Sequence, residues 1–313
     1  MTEPLQKKAG RPSRKGSSLW RDALRYLLRQ RSAIVGMIIL GLLALVAIFA
    51  PLIAPYDPII PMSDIPAEKN LVSVRMPPCI HLLGCPESIP QHILGIDSVK
   101  RDLFSRVLYG ARFSLYIGFA SVSFAIAIGA MLGAVAAYAG GWVDNILMRI
   151  MDVLMAFPSL MLAIAIVSVL GPGLVNALLA IGIVSIPSYA RVMRASVLMV
   201  KERDFVTADR AIGFAPLTIL FRRIMPNALA PMIVQGTLGI ATAILDAAAL
   251  SFLGLGAQKP TPEWGVMLGD ERSYVFTAPH LVFFPGLAIM LTVLAFNLLG
   301  DGLRDALDPR LNR

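Results

Sequence analysis

Six long apolar runs are the feature that most constrains the fold of this chain. They cover residues 33–50, 113–138, 147–170, 174–192, 229–250 and 281–299. Each is close to the roughly 20 residues that an α-helix needs to cross a bilayer, and none alternates as barrel strands do. Because lipid offers the backbone no hydrogen bonds, we predict an all-α, polytopic membrane protein with six transmembrane helices.

The distribution of charge indicates how these helices are oriented. Only 15% of the residues are charged, whereas a soluble domain has about a quarter. Nine Lys or Arg lie in the tail at 1–32 and six lie within 193–227. Basic loops stay on the cytoplasmic side, so we predict that both termini are cytoplasmic. The same rule accounts for the net charge of +8, and we therefore expect no nucleic-acid partner.

This topology divides the chain into five parts. They are a cytoplasmic N-terminal tail (1–32), a first transmembrane helix (33–54), a periplasmic loop (55–111), a five-helix core (112–302) and a cytoplasmic C-terminal tail (303–313). The periplasmic loop carries both basic and acidic residues, but long loops cross the membrane with little regard for charge.

The N-terminal tail ends in an amphipathic segment, residues 17–31. A helix there places Trp20, Leu24, Leu27 and Leu28 on one face, with arginines around them. This pattern is typical of a helix that lies in the membrane interface and leads into the first span. A signal peptide is the rival interpretation, but the lead is long and no small-x-small cleavage site closes the apolar run. We predict an uncleaved anchor.

Sequence motifs for catalysis are missing. The sequence contains no G-x-x-x-x-G-K-[ST], H-E-x-x-H, C-x-x-C or G-x-S-x-G, so nothing predicts a nucleotide site, a metal site or a nucleophile in this chain. His81, His92 and His280 lie in predicted outer loops, where loop residues near the interface are the better interpretation than metal ligands. Cys79 and Cys85 form a disulfide or remain two free thiols; an oxidising compartment outside the cytoplasm permits the bond.

Ionisable residues within spans would indicate an ion-coupled carrier. Arg149, Asp152, Arg191 and Arg194 lie near predicted cytoplasmic helix ends, and Asp246 lies deeper, in the fifth span. Asp246 either lines a transport pathway or is an acid at the outer mouth of the bundle that water satisfies. A single acid of this kind gives little support to ion coupling.

A charged loop at 203–228 separates the fourth and fifth apolar runs. A helix over 204–212 would place Phe205, Ala208, Asp209 and Ile212 on one face. Gly213 is suited to end that helix, and Pro216 is suited to begin a second one, which we expect to run until Pro226. A helix, a glycine turn and a second helix suit docking to a cytoplasmic partner, whereas the alternative is an amphipathic loop on the lipid surface.

The spacing of Ala208, Gly213 and Ile224-Met225-Pro226 resembles the EAA loop of ABC importer permeases. In that family the loop forms the coupling helix that seats in a groove of the ATPase subunit. The family pattern begins Glu-Ala-Ala, and Thr207-Ala208-Asp209 stands here instead. The resemblance implies that ATPase coupling involves Phe205, Ala208, Asp209, Ile212, Gly213 and Pro226.

Four further segments, 92–115, 140–160, 251–268 and 284–311, resemble the dipeptide, oligopeptide and nickel permease subfamily, and its C-type subunit most of all. The resemblance implies a non-catalytic permease subunit in a bacterial inner membrane. It implies a second, unlike permease subunit, two ATPase subunits that bind ATP and Mg, a periplasmic or surface solute-binding protein, and a peptide substrate. No cofactor would bind this chain itself.

Two other functions stay open at this point. The first is a permease of the same family for nickel or another small solute. The second belongs to a different class, a self-sufficient secondary carrier that depends on Asp246. The absence of paired intramembrane carboxylates argues against the carrier.

Overall fold

The computed structural model describes residues 25–66 and 71–307, and these residues form a helical bundle. Within them the only extended pairings are two isolated bridges, between Cys79 and His92 and between Ile96 and Asp102. The predicted N-terminal tail up to residue 24, with most of its interfacial helix, and the tail at 308–313 lie outside the described residues. Leu27, at the end of that predicted helix, is buried against Ala33 and Ala306.

Ten α-helices are described in these two ranges. They are α1 (Arg31–Ile53), α2 (Leu103–Ala139), α3 (Gly141–Met155), α4 (Ser159–Leu170), α5 (Leu174–Lys201), α6 (Asp204–Ala211), α7 (Pro216–Ile219), α8 (Met225–Phe252), α9 (Trp264–Glu271) and α10 (His280–Leu307). A π-helical segment, Leu220–Ile224, joins α7 to α8 without a break in the helix. Three short 3₁₀ turns lie in the connections, at Met62–Asp64, His81–Leu83 and Arg272–Tyr274.

Five of the predicted spans are single helices, and one is not. The helices α1, α2, α5 and α10 and the continuous helix Pro216–Phe252 are long and apolar enough to cross a membrane. The predicted helix at 147–170 is wrong, because the chain bends by 91° between α3 and α4. Pro158 explains the break: its ring cannot donate a backbone hydrogen bond, and it disfavours the helical conformation at Phe157.

Hydrogen bonds at the two ends of the bundle show that the bent pair still connects opposite ends. Lys201 donates from Nζ to the carbonyl oxygens of Ala137 and Tyr138, at 3.2 and 3.0 Å, so α2 and α5 end together. The N–H of Gly173 donates to the carbonyl of Leu255, so α5 begins where α8 ends. The chain between α2 and α5 therefore passes from one end of the bundle to the other, and the bundle has six crossings.

The two ends of the bundle differ in what they carry. The loop end, as we name it, carries residues 202–224 together with the start of α1 and the end of α10, where Gln30 donates to Asp305. The cap end carries the described residues of 54–66 and 71–102, together with 253–279. The helix that follows the first long loop begins nine residues earlier than the predicted loop boundary at 111 implies. α2 begins at Leu103, because the carboxylate of Asp102 caps it by accepting from the N–H of Ser105.

The helices α2 and α5 approach each other closely at two glycines of α2. Along α2, Gly129 and Gly133 face the backbone of α5. A Cβ on Gly129 would lie 2.8 Å from the carbonyl oxygen of Ile186, and one on Gly133 would overlap the carbonyl group of Ala190. Small residues allow this contact because membrane helices associate through close packing rather than through expulsion of water.

Gly133→Val should prevent this packing. Overpacking of a tight core costs about 1–3 kcal/mol, and the obstacle here is rigid backbone. We expect a lower yield of folded protein and a lower midpoint of thermal unfolding in detergent. Gly41→Val is the matched control, because a Cβ there meets nothing within 4 Å. Equal behaviour of the two variants would contradict this account of the α2–α5 contact.

Candidate functional site

The loop at 202–224 has the predicted helix–turn–helix arrangement. α6 ends at Ala211, and Gly213 follows with a φ of +87°. The N–H of Gly213 donates to the carbonyl of Arg210, and the N–H of Phe214 donates to the carbonyl of Asp209. These two bonds form a Schellman motif, which needs a left-handed residue at the position of Gly213. The turn thus satisfies the last carbonyl groups of α6 and reverses the chain.

One side of this loop is apolar and exposed. Val206 is fully buried and anchors α6 to the bundle, whereas Phe205 is 37% exposed and Ile212 is 75% exposed. Ala208 lies between them and is also exposed. Leu217, in α7, continues the surface at 68% exposure. Contiguous apolar surface at a polar end of a membrane protein is typical of a docking site for another protein.

Asp209 does not belong to this exposed face, although the helical spacing predicts that it does. Its carboxylate is 13% exposed and lies 3.3 Å from Nε of Arg223. The guanidinium of Arg223 also lies over the ring of Phe214, 5.7 Å from its centroid. Asp209 therefore joins α6 to the π-helical segment within the chain.

Pro226 does not end the second helix, so that prediction is wrong. The helix runs on from Pro216 to Phe252, and Pro226 lies in the first turn of α8. A proline within a helix normally clashes with the carbonyl four residues earlier and leaves it without a donor. The wider π-helical turn before it relieves the crowding. The side chain of Asn227 donates to the carbonyl of Arg223 at 2.6 Å, next to the Arg222 carbonyl that lies four residues before Pro226.

The cap end contains a buried network of charged groups that the sequence analysis missed. The carboxylate of Asp97 lies 2.7 Å from Nε of Arg101 and 3.6 Å from Nε of Arg106, and all three side chains are at most 6% exposed. Arg106 also donates to the carbonyl of Pro58 at 2.8 Å. Buried charges need such partners, and these tie the start of α2 to the loop that follows α1. Asp97, Arg101 and Arg106 lie close together in the sequence, but their burial depends on the distant segment around Pro58, and no sequence motif indicates that contact.

Two glutamates hold α9 in the same cap. Glu263 is 1% exposed and accepts from the N–H groups of Gly265 and Val266, both at 3.0 Å, so it caps α9. Burial raises the pKa of the Glu263 carboxyl, although these hydrogen bonds act against the shift. Glu271, at the other end of α9, accepts from the backbone and hydroxyl of Ser98. The described residues of the cap end thus form one interlocked unit that includes the start of α2.

The three histidines lie in or beside this cap. Nε2 of His81 lies 2.8 Å from the carbonyl oxygen of Ile89, and the ring of His280 lies against Gly95. His92 is 1% exposed, and neither of its ring nitrogens has a hydrogen-bond partner in the described part of the chain. Among the described residues, no group of three or more His, Cys, Asp or Glu side chains has a geometry that would hold a metal ion.

The remaining candidate residues lie apart from the loop. Cys79 and Cys85 are paired as a disulfide, with their Cα atoms 5.4 Å apart; Cys79 is buried, and the turn between the two cysteines is exposed at Leu82 and Leu83. Asp246 lies on α8, six residues before its last residue at the cap end, and is partly buried. Within the described ranges it forms no ion pair. The structure does not bring Asp246 together with the loop at 202–224.

Comparison with protein families identifies two matching regions. The sequence model for the binding-protein-dependent transport system inner membrane component matches residues 125–313. A second model, for the N-terminal TM domain of oligopeptide transport permease C, matches residues 18–78. The first match contains the loop end, including α6 to α8, and α9 and α10; the second contains α1 and part of the cap.

Named relatives match over nearly the whole chain. The dipeptide transport system permease protein DppC of Alkalihalophilus pseudofirmus is 49% identical over 94% of this chain and 91% of its own length. DppC of Haemophilus influenzae is 46% identical over 92% of this chain and 94% of its own length. The glutathione transport system permease protein GsiD of Escherichia coli O157:H7 is 47% identical over 93% of this chain and 91% of its own length.

Solved structures with the same fold include inward facing conformations of the MetNI methionine ABC transporter. A chain of the CY5 native crystal form matches 65% of this chain and 97% of its own length, with a TM-score of 0.52 and 20% identity. A chain of the CY5 SeMet soak form has a TM-score of 0.54 and 19% identity, and the match covers 64% of this chain and 96% of its own length. At these identities the likeness concerns the fold alone.

The buried His92 makes the cap sensitive to acid. Burial lowers the pKa of its imidazole from 6.5, and the nearby His280 and His81 lower it further. As the pH falls below 6.5, the His92 imidazole binds a proton in the unfolded chain, whereas the buried imidazole of the folded chain stays neutral. The free energy of unfolding should therefore decrease by at most about 1.4 kcal/mol per pH unit until the pH reaches the folded pKa.

Thermal unfolding in detergent at pH 7.5 and pH 5.5, for the wild type and for His92→Asn, measures this effect. The variant should lose less stability on acidification than the wild type. Asp102 and Glu263 act in the opposite direction, since burial raises the pKa of both carboxyls and the folded state binds their protons first. They are present in both proteins and cancel in the comparison. An equal acid shift in both would contradict the role of His92.

Proposed function

This chain belongs to the family of binding-protein-dependent transport system inner membrane components, and we propose that within this family it serves the import of dipeptides and other short peptides. The family is the permease component of ABC importers, so the chain is a multi-pass membrane permease that works with an ATPase and a binding protein. The observation that supports peptide as cargo is 49% identity to a dipeptide permease over 94% of the chain. Glutathione, the cargo named for another relative, is itself a short peptide.

The exposed face of the loop end would be where the ATPase docks. Phe205, Ala208 and Ile212 present an apolar surface on α6, and the Schellman turn at Gly213 holds α7 against it. Because α7, the π-helical segment and α8 form one continuous helix, movement of the docked loop would pass directly into a membrane-crossing helix. The role of this chain would be to convert closure of the ATPases into reorientation of the bundle, which requires two states that the ATPases bind differently.

The orientation follows from the positive-inside rule. The loop end carries the basic residues of 193–227 and the described parts that adjoin both basic tails. We therefore assign the loop end, with both termini, to the cytoplasm and the cap end to the outer side. On this orientation the cap, with its Cys79–Cys85 pair, would face the periplasmic or surface-tethered binding protein. The membrane would be the bacterial inner membrane.

The rest of the assembly would consist of another permease subunit, different in sequence from this chain, and two ATPase subunits. The translocation path would lie between the two permeases. ATP and Mg would bind to the ATPase subunits, and this chain would hydrolyse nothing itself. Nickel is a weaker cargo candidate than peptide, because the named relatives carry peptides.

Replacement of Gly213 tests the coupling role. With φ at +87°, Gly213→Val places a β-branched residue where such residues are outliers. We expect binding-protein-stimulated ATP hydrolysis to fall by about tenfold or more in the reconstituted complex, while the subunits still assemble. Gly213→Asn is the matched control, because Asn tolerates the left-handed region. Stimulation that is unchanged in Gly213→Val would overturn this role of the loop.

Replacement of Asp246 separates an ATP-driven permease from a secondary carrier. In an ATP-driven importer no proton or ion needs this carboxylate, so Asp246→Asn should reduce dipeptide uptake by no more than about threefold. Uptake into proteoliposomes, with and without ATP inside, is the measurement. Complete loss of uptake in a normally assembled complex, or uptake by the wild type without ATP, would support the carrier instead.

A further inference from the structure

Two ion pairs join α3 to α5 within the crossing part of the bundle. Nη2 of Arg191 lies 2.6 Å from a carboxylate oxygen of Asp152. One turn further along α5, Arg194 meets Asp144. A cavity of about 360 Å³ opens beside them. It is lined by Asp144, Asn145, Met148, Asp152, Arg191 and Arg194.

The two pairs are built differently. Arg194 binds Asp144 through two parallel hydrogen bonds, from Nε at 2.6 Å and from Nη2 at 2.5 Å, and the carboxylate is only 14% exposed. In such a bidentate pair each carboxylate oxygen already accepts a hydrogen bond from the guanidinium, and the two bonds fix the relative orientation of the two side chains. Arg191 gives Asp152 a single hydrogen bond, and both side chains remain 46% exposed. Arg191 therefore has donors, and Asp152 acceptors, that are free to bind a further polar group.

The position of Arg191 along α5 indicates what surrounds this exposed pair. It lies ten residues before Lys201, or about 15 Å along the helix axis. The apolar run of this helix ends at residue 192, so the pair lies where α5 leaves the hydrocarbon core on the side of the loop end. Ionisable groups in membrane helices face a water-filled cavity or the interior of the bundle rather than acyl chains. The cavity therefore opens to water at the loop end, where a path through the bundle would end.

We propose that Arg191 and Asp152 form a binding subsite for the two charged termini of a peptide in the path. Asp152 accepts from the α-ammonium group, and Arg191 donates to the α-carboxylate. The inference rests on the proposed function in peptide import. A peptide zwitterion carries no net charge, so its binding exchanges one ion pair for two and leaves the net charge of the cavity unchanged.

The other lining groups suit a ligand that is constant at its ends and variable in its side chains. Asn145 offers both a donor and an acceptor, which match a peptide group. Met148 contributes a flexible thioether that adapts to side chains of different shape. A volume of about 360 Å³ is at the lower end of the range for small-ligand sites, which suits a short peptide. The Arg194–Asp144 pair would hold α3 and α5 in place around it.

The test uses the assembled permease–ATPase complex in nanodiscs without the binding protein, because that protein would itself select peptide ends. Saturation-transfer NMR, which detects weak binding, measures affinity for dialanine, N-acetyl-dialanine and dialanine amide. We expect Arg191→Gln to weaken dialanine and N-acetyl-dialanine by about tenfold, since each loses a charge-assisted contact to its carboxylate. Asp152→Asn should weaken dialanine and dialanine amide to the same extent. Each variant should spare the peptide that lacks the corresponding terminus.

Arg149→Gln is the matched control, because Arg149 is exposed on α3 and does not line the cavity. If a neutral variant fails to assemble, Arg191→Lys and Asp152→Glu keep the charges and should show the same selectivity with a smaller loss. Absence of saturable dialanine binding to the wild type would overturn the subsite. So would equal weakening of all three peptides, because that is the result expected if the pair only clamps α3 to α5.

Failure of the inference and failure of the proposed function give different results. A wild-type complex that imports dialanine with ATP but shows no end-specific binding would refute the subsite alone. A complex that imports no peptide would refute the proposed cargo and the subsite together.

Discussion

A hydrocarbon layer offers no hydrogen bonds, and this constraint divides the molecule into an apolar bundle with two polar ends. At the cap end, charged groups that leave water are paired inside the fold, as Asp97 is with Arg101 and Arg106. At the loop end, Lys201 closes the carbonyl ends of α2. Arg191 lies where α5 leaves the hydrocarbon core and remains partly exposed, so its charge indicates where water or a partner meets the bundle.

The two ends are connected by stiff elements. The helix from Pro216 to Phe252 carries the exposed loop surface at one end and reaches the interlocked cap at the other. The backbones of α2 and α5 are in close contact at Gly133, so we expect the two helices to move as one rigid unit. A displacement of the loop end would therefore be transmitted along the bundle instead of being absorbed in local rearrangement, which an ATP-driven permease requires.

Much of the fold could be predicted from sequence, because apolar length and basic loops follow directly from the properties of the bilayer. The predictions that are wrong concern features of the structure that tertiary contacts determine. Pro158 breaks the long, mainly apolar run at 147–170, whereas Pro226 is accommodated by a π-helical turn. Asp209 leaves the exposed face because Arg223 lies within its reach. The buried network around Glu263 joins segments about 150 residues apart, a separation that no local motif records.

We infer that the exposed face of α6 contacts an ATPase. The direct measurement replaces Ile212, which is 75% exposed, by the photo-crosslinking residue p-benzoylphenylalanine in cells that express the whole transporter. Phe276, 96% exposed at the cap end, receives the same residue as the control. We expect a cross-link to an ATPase subunit from position 212 and none from position 276. Position 212 cross-linked to lipid alone, in a transporter that still imports peptide, would contradict it.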